Sequence, residues 1–125
     1  MEAAVVLRGV TKAFGAFRAV DRLDLEIPKR DVFGLLGPNG AGKTTTIRMI
    51  MDILRPDSGE VEVLGRKLSD GTKDRIGYLP EERGLYRKMK IVERLEFQGS
   101  IKGMTPAAAR KAGSDWLDRL ALSDW

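Results

Sequence analysis

The stretch Gly37-Pro38-Asn39-Gly40-Ala41-Gly42-Lys43-Thr44 lies between a short apolar run and a segment of helical periodicity. It fits the phosphate-binding loop pattern, two glycines with four residues between them followed by Lys and Ser or Thr. Gly37, Gly40 and Gly42 lack a Cβ, so the backbone can bend through positive φ and approach a phosphate closely. The N–H groups opening the next helix point inward, where the positive end of the helix dipole favours an anion. Lys43 can reach the β- and γ-phosphates, and the Thr44 hydroxyl can coordinate Mg²⁺. A glycine-rich turn followed by Lys-Thr by chance is the plainer alternative. The flanks, which have the strand–loop–helix form, weigh against it.

Upstream, Ala4–Val10 reads as a first strand rich in β-branched residues, and Thr11–Gly15 turns the chain into a second. There Leu23, Leu25 and Ile27 alternate with Asp24 and Glu26, the pattern of a half-buried antiparallel strand. The continuous apolar run Val32-Phe33-Gly34-Leu35-Leu36 suits a buried central strand leading into the glycine loop. Downstream, Ile47, Ile50, Met51 and Leu54 share one face of a helix spanning Lys43–Leu54, widened by Met49 and Ile53. Pro56-Asp57-Ser58-Gly59 stops that helix.

Further strands are expected at Val61 and Val63 and at Arg75–Leu79, with a loop or short helical turn between. A helix over Ile91–Lys102 is weakened at its end by Gly99 and Gly103. Thr105-Pro106 then starts a last helix, a cap residue with proline at the first helical position. Its periodic residues are Ala109, Ala112, Trp116 and Leu120, joined by Leu117, while Gly113 costs it stability. Trp116 and Trp125 read as core or former-core residues rather than ligand contacts.

Composition narrows the chemistry. The 125 residues include no Cys and no His, which excludes disulfides, cysteine redox chemistry, zinc sites and histidine acid–base catalysis. Net charge is +4, spread along the chain rather than clustered, so nucleic acid is not an expected partner. No apolar run approaches the ~18 residues that span a bilayer. A guanine-reading Asn-Lys-x-Asp or Thr-Lys-x-Asp segment is absent, which favours ATP over GTP.

Read with its surroundings, the glycine loop resembles that of the ATP-binding cassette (ABC) ATPases. Lys12-Ala13-Phe14-Gly15 is similar to the family's adenine-stacking segment, and Pro56–Val61 to the turn and strand after its first helix. Ile76-Gly77-Tyr78-Leu79-Pro80-Glu81 is similar to the approach to its glutamine loop. The resemblance runs over residues 5–104, and the later segments look most like cassettes that drive bacterial drug, sodium or ABC-2-type exporters.

This resemblance implies an α/β phosphate-loop NTPase core with an N-terminal antiparallel β segment. Residues 1–30 would form the antiparallel part, 31–80 the loop core, and 81–125 the glutamine-loop region with the start of a helical subdomain. Nucleotide contacts would come from Gly37, Asn39, Gly40, Ala41, Gly42, Lys43, Thr44 and Thr45, with Phe14 stacking on adenine or packing within the sheet. Thr44 and Glu81 would hold Mg²⁺. Glu81 stands where the family usually has the glutamine that contacts Mg²⁺ and the attacking water, and it reads equally well as a solvated loop acid.

The family's signature segment, Walker B aspartate, catalytic glutamate and switch histidine would follow beyond Trp125. The expectation is therefore ATP binding with negligible hydrolysis by this chain alone, within the ATP-binding subunit of a transporter. A second cassette and a membrane permease would be its partners, and the inner face of the cell membrane its location. The alternatives are a soluble ABC ATPase of DNA repair or translation, and a truncated nucleotide-binding module.

Overall fold

The computed structural model describes residues 2–80 and 88–124, so Glu81 and Trp125 lie outside the described residues. The chain divides into two compact units, residues 1–78 and 79–125. In the first, β1 (Ala3–Phe14) and β2 (Phe17–Pro28) form a long antiparallel hairpin. Phe14 and Phe17 face each other across its two-residue turn. The strand therefore runs on through Thr11–Phe14, where the sequence suggested a turn.

β3 (Ser58–Val63) pairs antiparallel with the other edge of β1, and the short β4 (Arg66–Lys67) pairs with β3. The sheet order is β2-β1-β3-β4. This is the antiparallel β segment expected from the alternating pattern. Leu7, Val10, Val20, Val61 and Val63 make its buried face, and the sulfur-bearing side chain of Met49 is packed among them. A four-residue turn of helix, α2 (Asp70–Lys73), follows the sheet.

The helix after the loop, α1, covers Lys43–Ile50 and is shorter than its apolar periodicity suggested. Asp52 takes a left-handed conformation (φ 55°). The Ile53 N–H then reaches back to the Arg48 carbonyl (2.9 Å) and the Asp52 N–H to that of Met49 (3.2 Å). That is the Schellman pattern, which closes the helix before the proline-containing turn can. The buried line on α1 is Thr46 and Met49, whereas Ile47 and Ile53 face outward.

Two segments read as strands are not in a ladder among the described residues. Val32–Leu36 has no regular secondary structure and is exposed, with Val32 at 97% and Leu36 at 94% of full accessibility. Arg75–Leu79 is likewise outside any strand, although Ile76 packs against the core cluster. An apolar run becomes a buried strand only where neighbours pair with its backbone, and those neighbours are not written in the run itself.

The second unit is a helical pair, α3 (Ile91–Ile101) and α4 (Pro106–Arg119). The Lys90 N–H donates to the Glu93 carboxylate (3.1 Å) at the start of α3, and the Ala108 N–H to the Thr105 hydroxyl (3.2 Å) at the start of α4. The two helices meet along Ala109, Gly113 and Leu117, all buried. Trp116 is 53% exposed, its ring lying beneath the Arg119 guanidinium at 4.4 Å, so it is not the core residue its spacing suggested. Gly113 sets the interface: a Cβ there would stand 2.9 Å from Leu95 Cβ. A larger residue would hold the helices apart, so the helical line through Gly113, rather than that through Trp116, is buried.

Candidate functional site

The glycine loop runs from Gly37 to the first turn of α1 and is built on β2. Gly42 is its anchor, with φ 89°, and a Cβ on it would fall 2.4 Å from the Ala19 carbonyl oxygen and 3.2 Å from Val20 Cγ2. Both the left-handed backbone and the close approach demand glycine. The Ala41 N–H donates to the Pro38 carbonyl (3.1 Å), a tight turn inside the loop. The Lys43 ammonium donates to the Gly37 carbonyl, folding the side chain across the loop and tying its two ends together.

The first bond of the α1 ladder runs from the Thr46 N–H to the Gly42 carbonyl (2.9 Å), and the Thr46 hydroxyl donates to the same oxygen (2.7 Å). The N–H groups of Lys43, Thr44 and Thr45 precede that bond, so helix geometry provides them with no partner in the ladder. They form a positively polarised end suited to an anion. Thr44 and Thr45 line a cavity of about 170 Å³ together with Asn39, Gly40, Gly42 and Lys43. Its remaining walls are Phe17 and Ala19 of β2.

Seven of the eight loop residues named from sequence thus gather around one cavity or close on each other: Gly37 meets Lys43, and Asn39, Gly40, Gly42, Lys43, Thr44 and Thr45 line it. Ala41 packs its Cβ 3.1 Å from where a Gly37 Cβ would be. Phe14 does not line the cavity. It sits opposite Phe17 at the hairpin end, with the Lys12 ammonium 5.5 Å from its ring centroid. Sequence reasoning missed Phe17 and Ala19. Their signal was their spacing, two apart on a strand that starts one turn from Phe14.

A latch holds this end of the hairpin. The Asp57 carboxylate accepts the Ala13 N–H (2.8 Å) and the Lys12 ammonium (3.1 Å), while its own N–H donates to the Thr11 carbonyl (2.8 Å). The Ala13 N–H and the Lys12 charge hold the Asp57 carboxyl below its ordinary pKa. The turn after α1 is thereby fastened to the strand that carries Phe14.

A family model described as ABC transporter matches residues 20–125. The chain belongs to the ABC transporter family. It is 49% identical over 116 residues to the ABC transporter ATP-binding protein YhaQ of Bacillus subtilis, covering 93% of this chain and 39% of that protein. To the ATP-binding protein MJ1023 of Methanocaldococcus jannaschii it is 41% identical, over 100% of this chain and 44% of that one. To the daunorubicin/doxorubicin resistance ATP-binding protein DrrA of Streptomyces peucetius it is 37% identical, over 97% and 38%.

The fold matches that of a solved ATP-binding subunit of an ABC transporter with a TM-score of 0.80 at 23% identity, covering 97% of this chain and 52% of that one. The chain therefore spans less than half the length of these curated relatives. All three are transporter or drug-resistance ATP-binding proteins, which supports the transporter reading over the DNA-repair and translation alternative. Membership of this family implies nucleotide binding. Among the described residues, no helix is long and apolar enough to cross a membrane.

Proposed function

We propose that this ABC-family chain holds the triphosphate of ATP through Gly37–Thr45 and serves within the ATP-binding subunit of a transporter. The observation that carries the reading is the cavity bounded by Asn39, Gly40, Lys43, Thr44 and Thr45, at the opening turn of α1. Its donor set fits a polyphosphate: an ammonium, two hydroxyls and helix-opening N–H groups converge there, without a carboxylate among the lining residues. Mg²⁺ would neutralise charge between the β- and γ-phosphates, with the Thr44 hydroxyl and the Glu81 carboxylate as its proposed protein ligands. Phe14 is the proposed base-stacking residue.

The residue ranges 1–30, 31–80 and 81–125 are proposed as the antiparallel part, the loop core and the glutamine-loop region of one nucleotide-binding domain. Coupling of ATP hydrolysis to transport, pairing with a second cassette and docking on a membrane permease at the inner membrane face are proposed for the whole subunit. Names of relatives such as DrrA favour a drug or other exporter as the class.

The test is equilibrium binding of Mg·ATP to the chain by calorimetry. Lys43→Ala removes the only charged side chain among the cavity-lining residues, and the affinity is expected to fall at least about tenfold, the scale of one lost charge-assisted contact. Equal ATP affinity in the two proteins would refute the reading.

A further inference from the structure

The run Thr44-Thr45-Thr46 lies in the first turn of α1, and its last member stands apart. Thr44 and Thr45 line the cavity, whereas Thr46 is outside the lining and only 3% exposed. Its hydroxyl donates to the Gly42 carbonyl (2.7 Å), the same oxygen that accepts the Thr46 N–H (2.9 Å). A threonine bonding back to the carbonyl four residues earlier adds little to an ordinary helix and often bends it. Here the accepting carbonyl belongs to the glycine that joins the loop to the helix.

Gly42 has φ 89° and ψ 8°, and no side chain caps the helix at that point. A glycine is free to turn its peptide unless something holds it. Packing against the Ala19 carbonyl fixes where Gly42 sits, and the two bonds from Thr46 fix how the next peptide is turned. That peptide is trans, so its C=O and N–H point in opposite directions. A carbonyl held toward Thr46 therefore aims the Lys43 N–H out of the open end of the helix, where the cavity lies. The Thr46 hydroxyl keeps this bond because a buried hydroxyl is costly to leave unpaired.

We infer that Thr46 is a positioning residue for the phosphate site: its hydroxyl holds the Gly42–Lys43 peptide so that the Lys43 N–H stays aimed at the bound phosphate. The inference rests on the proposed nucleotide reading of this site. Thr46 acts only through backbone, so it affects the phosphate end of a ligand and is indifferent to the nucleoside.

The experiment measures binding of Mg·ATP and of inorganic tripolyphosphate to the chain, to Thr46→Val and to Thr46→Ser, with the Lys43 amide followed by NMR. Thr46→Val puts a methyl in place of the hydroxyl and is expected to weaken both ligands about fivefold, the scale of one neutral hydrogen bond. The Lys43 amide resonance shifts in that variant, and Thr46→Ser, which keeps the donor, returns both affinities and the resonance to the parent's. Thr46→Ala removes the same donor and provides the same reading should the valine variant not fold. Unchanged affinity in Thr46→Val, a loss confined to ATP, a loss that serine does not restore, or a loss without movement of the Lys43 amide would each overturn the inference while leaving the phosphate site standing. Failure of the parent to bind either ligand would remove the nucleotide reading and this inference with it.

Discussion

Gly42 is packed so closely on β2 that a Cβ added to it would stand 2.4 Å from the Ala19 carbonyl oxygen. The glycine loop is therefore not a free turn between elements; its position is fixed by a contact of backbone on backbone. Gly40 offers an internal comparison, since its φ of 82° is close to the 89° of Gly42, yet a Cβ on it would meet nothing within 4 Å. Gly40→Ala should cost only the left-handed strain of about 1–2 kcal/mol. Gly42→Ala should cost more, about 2–4 kcal/mol, because strain and overpacking act together. Denaturant unfolding of the two variants checks the order, and equal losses would show that the Ala19 contact is easily relieved.

Met49 tests which face of α1 is buried. It is 0% exposed among Leu7, Val10, Val20 and the β3 valines, while Ile47 looks outward. Met49→Ala should lose about 2–5 kcal/mol, the range for emptying a core site, and Ile47→Ala under about 1 kcal/mol. Similar losses at the two positions in chemical denaturation would restore the broader buried face that the periodicity suggested.

That helix shows where the sequence was legible and where it was not. The pattern of the glycine loop is legible because the proposed phosphate chemistry restricts Gly37, Gly42, Lys43 and Thr44 to particular residue types. The hairpin was equally readable, since Leu23, Leu25 and Ile27 alternate with acids that stay exposed. Apolar residues surround α1 on several sides, and only the position of the sheet selects Met49 over Ile47. Val32–Leu36 reads as a strand for the same local reason, but pairing is a property of neighbours, and none pairs with it among the described residues. At the site, the Lys-x-Phe-Gly pattern drew attention to Phe14, whereas the cavity wall is Phe17 and depends on how the loop seats on β2.

The Asp57 latch makes a pH prediction. Its carboxyl is held below its ordinary value of 3.8, so the folded chain binds that proton less readily than the unfolded chain. The latch therefore contributes fully above the unfolded value, and the contribution is lost as pH falls below 3.8 through the folded value. Asp57→Asn removes the charge. Melting temperatures of the parent and the variant should differ by a constant gap near neutral pH and converge below pH 3.8. A gap that persists unchanged at the lowest pH would show that the carboxylate charge is not what holds Lys12 and the Ala13 N–H.

In the second unit, Gly99 and Ala109 share one space: a Cβ on Gly99 would lie 2.7 Å from the Ala109 Cβ. Helix propensity alone favours Gly99→Ala by about 1 kcal/mol. Overpacking at a contact that is not the tip of a flexible side chain costs about 1–3 kcal/mol and should win, so the single variant is destabilised. Ala109→Gly alone should also destabilise, by about 1 kcal/mol of helix propensity plus the loss of a buried methyl. Combined, the two exchange the methyl from one helix to the other and relieve the clash. A double-mutant cycle should return a favourable coupling of at least about 0.5 kcal/mol. Simple additivity of the two losses would mean that the helices separate to accept the extra methyl, and that the close approach at Gly99 is not what fixes their spacing.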